Sequence, residues 1–246
     1  MATNMAAWLT IARMCAPLAA LDVPWTMKPL DSAETSVERL ADRRLRFSIR
    51  HDVLRGVTPA MLVWWFNNIA GDMDLGGRPV PRYRVWHPRD HVLLEYVRKA
   101  RDGRNFGPGA RVHIVEFLGG RPEYKVDILS TIEFLDETGL AHSDRITGLE
   151  VARLDYRFTP VDGGTLYRNS LTVGSPGPAA VRFLVNRFVR PRLFPEEMGE
   201  AWLRHNVEEV GNFEYFLPAL YQQSQPGSPG TAAPAAARDE TWPSRR

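Results

Sequence analysis

The stretch Pro195–Pro218, PEEMGEAWLRHNVEEVGNFEYFLP, decides how the rest of the chain is read. Pro195 stands at a tolerated first-turn position, Glu196 and Glu197 suit a helix N-terminus, and Pro218 closes the run. The spacing therefore predicts one long helix. At 3.6 residues per turn, Met198, Trp202, His205, Glu209, Phe213 and Phe216 fall within roughly 60° of one another. His205 and Glu209 then sit one turn apart in the middle of an apolar stripe. A buried carboxylate beside a buried imidazole needs a partner, because an isolated buried charge is very costly. That partner is each other, another side chain or a metal ion.

Upstream, several segments read as strands: Leu45–Arg50, Arg111–Leu118, Lys125–Phe134, Ala152–Phe158 and Thr165–Val173. Asp162-Gly163-Gly164 is a hairpin signal before the last of them. Thr58 and Pro59 start a helix, as cap and first residue, over Pro59–Ala70. That helix is apolar nearly all round and carries Trp64 and Trp65, which read as core or as an aromatic wall of a ligand pocket. Ser32–Arg44 and Ala179–Val189 read as further helices. Strands followed by helices give an α+β fold, a curved antiparallel sheet around a long C-terminal helix. An internal cavity is expected between sheet and helix, lined by the helix stripe. Gln222–Arg246 is Pro, Ala, Gly and Ser with almost nothing to bury, and reads as a disordered tail. The expected organisation is an N-terminal extension with short helices (1–44), a catalytic domain (45–221) and the tail (222–246).

The chain has 246 residues, 44% hydrophobic and 24% charged, ordinary values for a globular protein. The net charge of +2 is spread along the chain, which argues against a nucleic-acid partner. Cys15 is the only cysteine, so neither an intrachain disulfide nor a thiolate metal site is available. The N-terminus has no positive charge before its apolar part and Arg13 interrupts it, unlike a signal peptide. No run of 18 apolar residues exists. The expectation is a cytoplasmic protein with no membrane partner.

Inward-pointing polar residues come from three places. The helix offers His205 and Glu209. Tyr83–His91, YRVWHPRDH, reads as a short strand with Tyr83, Val85 and His87 on one face, Arg84 and Trp86 on the other. Pro88 ends it, so His87 and His91 flank a bend with Asp90 between them. Along Arg111–Leu118, Glu116 lies between Ile114 and Leu118 on a face expected to be interior. Two His and two carboxylates form an N/O ligand set that suits Zn²⁺, and also Mn²⁺ or Fe²⁺. His51 at a strand end and His142 in a polar loop read as surface residues, and His113 as structural. No GxSxG elbow, GxxxxGK[ST] loop, GxGxxG turn or HExxH helix occurs, which leaves serine hydrolases, P-loop enzymes and nucleotide-dependent dehydrogenases without support.

Four segments, GVTPAMLVWWF (Gly56–Phe66), YRVWHPRDH (Tyr83–His91), EFLGGRP (Glu116–Pro122) and AWLRHNVEEVGNFEYFLPALY (Ala201–Tyr221), resemble the diacetylphloroglucinol hydrolase / phloretin hydrolase family. The resemblance covers Leu45–Tyr221. It implies a START-like helix-grip fold with one zinc ion, and hydrolysis of the carbon–carbon bond between an acyl group and a phloroglucinol ring. Carried over by motif, the ligands are His91, Glu116, His205 and Glu209. Tyr83 matches a tyrosine that binds a phenolic oxygen, and His87 is then either a support behind the ligands or a pocket residue. Where the family carries a histidine on the strand before the Gly-Gly hairpin, this chain reads ARLDYRF and offers Asp155 and Tyr156. Trp64, Trp65, Trp86, Trp202 and Asn212 are the expected substrate-pocket residues.

Three functions follow as expectations. The first is a zinc-dependent hydrolase of a ketonic metabolite, acyl-phenol or β-diketone-like. The second is a cyclase or lyase of polyketide biosynthesis on the same fold, and the third a non-enzymatic ligand-binding protein. The expected partner is a small aromatic or polyketide-like molecule, and a homodimer is left open.

Overall fold

The long helix runs from Glu196 to Gln223, gripped by a nine-stranded antiparallel sheet. The structure, a computed structural model, describes residues 16–225. The readings made for the first residues and for most of the tail lie outside that range.

The strands are β1 (Ala33–Arg39), β2 (Leu45–His51), β3 (Leu54–Arg55), β4 (Asp72–Asp74), β5 (Pro79–Pro81), β6 (His91–Arg98), β7 (Arg111–Phe117), β8 (Lys125–Asp136), β9 (Gly139–Ile146), β10 (Leu149–Val161) and β11 (Gly164–Val173). The helices are α1 (Pro59–Asn68), α2 (Arg82–Trp86), α3 (Ala179–Leu184), α4 (Arg190–Leu193) and α5 (Glu196–Gln223), with a π-turn at Val185–Val189 between α3 and α4. The main sheet runs β1-β2-β11-β10-β9-β8-β7-β6, with β3 paired to the start of β11, while β4 and β5 form a separate hairpin. This is the expected α+β helix-grip architecture, a curved antiparallel sheet around a long C-terminal helix. Its curvature leaves a cavity between the concave face and α5.

Burial on almost every side explains the length of α5. Trp202, Leu203, Val207, Val210, Phe213 and Leu217 are all buried. Its stripe faces the sheet and α1, where Trp65 packs against Phe213 and Phe216. Gly199 lets the helix approach β2, because a Cβ there would stand 2.0 Å from the Phe47 ring. Residues before β1 wrap the outer side: Trp25 stacks on Tyr215 and Lys28 pairs with Glu214 at 2.9 Å. Thr58 caps α1 by accepting from the Met61 N–H.

Several readings are corrected. Pro218 does not end α5, because buried Leu217 and Leu220, and Tyr221 against Trp64, hold the turns beyond it. Ser32–Arg44 is not a helix: β1 pairs with β2, so the sheet begins before Leu45. Cross-strand charge pairs accompany that ladder, Glu34 opposite Arg50 at 2.6 Å and Glu38 opposite Arg46 at 3.5 Å. His51 and His142 are buried, not on the surface. Among the described residues, no helix is long and apolar enough to cross a membrane.

His51 makes stability depend on pH. It bonds Asn169 through Nε2 at 3.1 Å, and burial pulls its pKa from 6.5 down to about 3. The unfolded chain therefore takes a proton below pH 6.5 that the folded chain refuses, and the stability contribution is lost as pH falls. Between pH 7 and pH 5 the loss from this one group is about 2 kcal/mol. Urea unfolding of His51→Gln at both pH values is expected to show a pH-dependent loss smaller than wild type by that amount.

Candidate metal centre

Tyr83, His87 and His91 are brought into line by helical spacing. α2 is one turn, and the His87 N–H donates to the Tyr83 carbonyl while the His91 N–H donates to the His87 carbonyl. The strand reading of this segment is corrected: Pro81 and Pro88 bracket it and lack the N–H a ladder would need. Two turns apart, Tyr83 and His91 lie ring on ring with centroids 3.8 Å apart, while His87 is tilted against His91 at 5.5 Å.

β6 begins at His91, directly opposite Glu116 on β7. The alternation of β7 turns Ile114 and Glu116 into the cavity. α5 presents His205 and Glu209 from the other side. His91 Nε2 lies 3.5 Å from Glu116 Oε1 and 3.3 Å from Glu209 Oε2. His205 Nε2 lies 3.7 Å from Glu116 Oε2 and 3.7 Å from Glu209 Oε2. Ligand atoms about 2.0–2.1 Å from a tetrahedral zinc stand about 3.3 Å from one another. The His91, Glu116 and His205 atoms group closely enough to hold a cation, and Glu209 Oε2 stands beside the two histidines.

The surrounding hydrogen bonds aim the four groups. His91 Nδ1 is 2.7 Å from the Tyr83 carbonyl, so it carries the proton, and Nε2 is left buried with no hydrogen-bond partner. His205 Nδ1 lies 3.0 Å from Asp90 Oδ2, which likewise turns Nε2 inward. An imidazole whose other nitrogen donates to a carbonyl or carboxylate is the usual state of a metal ligand. The Tyr83 hydroxyl donates to Glu116 Oε1. Asn206 donates to Glu209 Oε1 at 2.7 Å, leaving Oε2 for the centre.

Charge points the same way. Burial pushes the Glu116 and Glu209 carboxyls up, Glu209 well up. Burial, with the His205 and His87 charges, holds His91 well below its ordinary value, so its Nε2 lone pair is free. For His205 burial is outweighed by the Glu209, Asp90 and Glu116 carboxylates, which raise it to about 9. The raised His205 imidazole is the positive charge that faces the two buried carboxylates, and a divalent cation bound there would take that place.

Sequence reasoning missed most of the supporting layer. Asp90 accepts from Arg89 Nε at 2.9 Å, from the Gly119 N–H at 2.8 Å and lies against His205. His87 stacks on His205 with centroids 4.4 Å apart, accepts from the Asp90 N–H and bonds Glu208 at 3.1 Å. A second trio, His87, Asp90 and His205, also brings ligand atoms together, but hydrogen bonds already engage them. Behind Glu209, His51 donates to Asn169, Asn169 to Asn206 and Asn206 to Glu209, all pointing toward the carboxylate. Asn206→Leu removes the last donor while keeping much of the volume. A loss of metal affinity of about 10- to 100-fold is expected, read by competition with a chelating dye.

The centre sits in the wall of a cavity of about 480 Å³. Tyr83, Trp86, Tyr156 and Trp202 line it, whereas Trp64, Trp65 and Asn212 do not. Trp64 packs edge-on to Tyr221 under the Arg82 guanidinium. Trp65 is core against Trp86 and Phe213, which decides its two readings. Asn212 is structural, accepting from Trp25 Nε1 at 3.1 Å and donating to the Trp86 carbonyl at 2.9 Å. Asp155 points away from the cavity and pairs with Arg153 at 3.1 Å, because alternation on β10 puts Tyr156 inside and Asp155 outside.

The cavity also holds a polar group that the sequence hid. His142 on β9 contacts Ser130 Oγ through Nδ1 at 2.6 Å and Tyr156 OH through Nε2 at 3.4 Å. Burial pulls its pKa down to about 4, while burial raises the Asp144 carboxyl to about 6. Burial, then the Glu209 and Glu116 charges, push the Tyr156 phenol well up, so it is a neutral donor. Asp144 Oδ1 has no hydrogen-bond partner. Their place in a polar-looking stretch, LAHSDRI, is what disguised a buried strand.

No protein-family model matches the sequence, and no curated protein matches it. Among solved structures, a START superfamily protein from Mycobacterium smegmatis is similar at 10% identity and a TM-score of 0.44, over 70% of this chain and 97% of that one. Protein Ms6760, also from Mycobacterium smegmatis, is similar at 16% identity and a TM-score of 0.43, over 76% of this chain and 99% of that one.

Proposed function

We propose that the chain is a metal-dependent enzyme that hydrolyses a carbon–carbon bond in a ketonic metabolite, acyl-phenol or β-diketone-like, with zinc as the ion. The observation that carries this reading is that the His91, Glu116 and His205 ligand atoms come together beside Glu209 Oε2, which lies 3.3 Å from His91 Nε2 and 3.7 Å from His205 Nε2, with Glu116, His205 and Glu209 lining a cavity. A zinc ion bound there supplies Lewis acidity to an adjacent oxygen.

The chain's own groups do the rest. Tyr156 is a buried neutral phenol that can donate to a substrate oxygen where negative charge grows, while the Tyr83 hydroxyl is committed to Glu116 and holds that carboxylate in place. Trp86, Trp202 and the aliphatic lining hold an aromatic ring and keep bulk water out. Hydrolysis adds the elements of water across the acyl–ring bond: hydroxyl to the acyl carbon and a proton to the ring carbon. The products are a carboxylic acid and the deacylated ring.

The cyclase, lyase or binding alternative is favoured by one feature. Four protein ligands fill a tetrahedral set, whereas catalytic zinc sites usually keep a position open. The His142–Ser130–Tyr156 group offers acid and base on the cavity wall away from the four ligands. Mass spectrometry after incubation with an acylated phloroglucinol separates the readings. Hydrolysis yields two fragments whose summed mass exceeds the substrate by one water, cyclisation leaves the mass unchanged, and a binding protein returns the compound intact.

A further inference from the structure

The segment between the sheet and α5 is built inside out. Residues 179–194 read AAVRFLVNRFVRPRLF, with four arginines and no acidic residue. Its anchor is a polar side chain: buried Asn186 donates to the Asp42 and Ser175 carbonyls and accepts from the Ser175 N–H. Its apolar side chains face outward. Phe183 and Leu184 are each 56% exposed and Leu193 is 65% exposed, with Phe188 and Val189 beside them. Large apolar faces rimmed by charge mark interaction sites.

The inner side of the same segment forms part of the cavity wall through Val185 and Phe194, with the exposed Val189 and Leu193 at its rim. Arg190 lines it too, buried, with an Nε–H that has no hydrogen-bond partner. A buried guanidinium with a free donor at this place seeks an anionic group.

We propose that this face docks on an anionic phospholipid bilayer. Phe183, Leu184, Phe188 and Leu193 enter the acyl boundary, and Arg182, Arg187 and Arg192 meet the lipid phosphates. Charge selects this occupant. An acid-free run with arginines among its apolar side chains matches an anionic interface. A second copy of the chain would instead set arginine against arginine. Docking brings the cavity wall to the bilayer, so a lipid-soluble ligand passes between membrane and cavity without crossing water. The association is peripheral and independent of the metal centre.

The test is co-sedimentation of the full chain with vesicles of phosphatidylcholine alone and of phosphatidylcholine mixed with phosphatidylglycerol. Partition onto the mixed vesicles is expected to be about tenfold or more above that onto phosphatidylcholine. The Phe183→Glu/Leu184→Glu and Arg187→Glu/Arg192→Glu variants should each lower it about tenfold, with an unchanged thermal midpoint showing that they fold. No preference for the anionic vesicles would overturn the proposal. So would a wild-type dimer, measured by light scattering, that Phe183→Glu/Leu184→Glu splits while vesicle binding stays absent. That outcome would make the face a chain–chain interface.

Discussion

On the proposed zinc site, the wild-type chain is expected to purify with stoichiometric zinc and His205→Ala without it. Structural zinc binding in small sites is worth on the order of 10–16 kcal/mol, so four ligands carry about 3 kcal/mol each or slightly more. Loss of one lowers affinity about 100- to 1000-fold. His205 is the apt choice because its Nε2 reaches both carboxylates, at 3.7 Å each. Elemental analysis of the purified protein reads the metal directly, without needing a substrate. A second readout comes from linkage: zinc in excess raises the unfolding midpoint of the wild type, since only the folded chain assembles the four ligands. The variant should show almost none of that rise. A wild-type chain that holds no metal after reconstitution, or a His205→Ala chain that holds as much as wild type, would sink the centre in this form. Binding should also release protons, because burial pushes the Glu116 and Glu209 carboxyls up and a cation takes the place of the proton.

What was legible in the sequence follows from the strength of each period. α5 is long enough for the 3.6-residue repeat to show, so His205 and Glu209 were placed inside from spacing alone. Glu116 was placed by the two-residue alternation of β7. His91 could not be chosen over His87 by spacing. Six residues between Pro81 and Pro88 do not separate a strand from a helical turn, and only the family resemblance singled it out. β9 was missed because its buried face carries His142 and Asp144, which look like loop residues until a cavity is there to receive them. β1 was misread because its residues are mostly exposed and carry no apolar face. It is a strand through its ladder to β2, the strand that follows it. The hydrogen-bonded layer was invisible because its partners are distant: Asn169 and Asn206 are 37 residues apart, and nothing local marks them as partners.

Asp90→Ala is expected to cost more stability than any other single change around the centre. Asp90 is fully buried, and its two oxygens serve Arg89, the Gly119 N–H and His205. Alanine strands a backbone N–H and an imidazole N–H in the interior and leaves His205 without the carboxylate that orients it. Breaking a buried charged network by removing one member costs about 3–5 kcal/mol. For a chain of this size that is a fall in thermal midpoint on the order of 10 °C. Asp90→Asn separates shape from charge. An amide still accepts one bond but carries no charge toward His205, so the stability loss should be smaller, about 1–2 kcal/mol. Its zinc affinity should still fall about 10- to 100-fold, because the ligand is less firmly oriented and less basic. The pH dependence gives a third readout. Burial raises the Asp90 carboxyl, but the His205 bond and the His205, His87 and Arg89 charges outweigh it and hold the group well below 3.8. Its contribution is therefore complete above 3.8 and is lost as pH falls from there toward the lower folded value. Urea unfolding across that acid window should show the wild type losing stability steeply and Asp90→Asn losing less. Equal slopes would mean that Asp90 acts through shape alone.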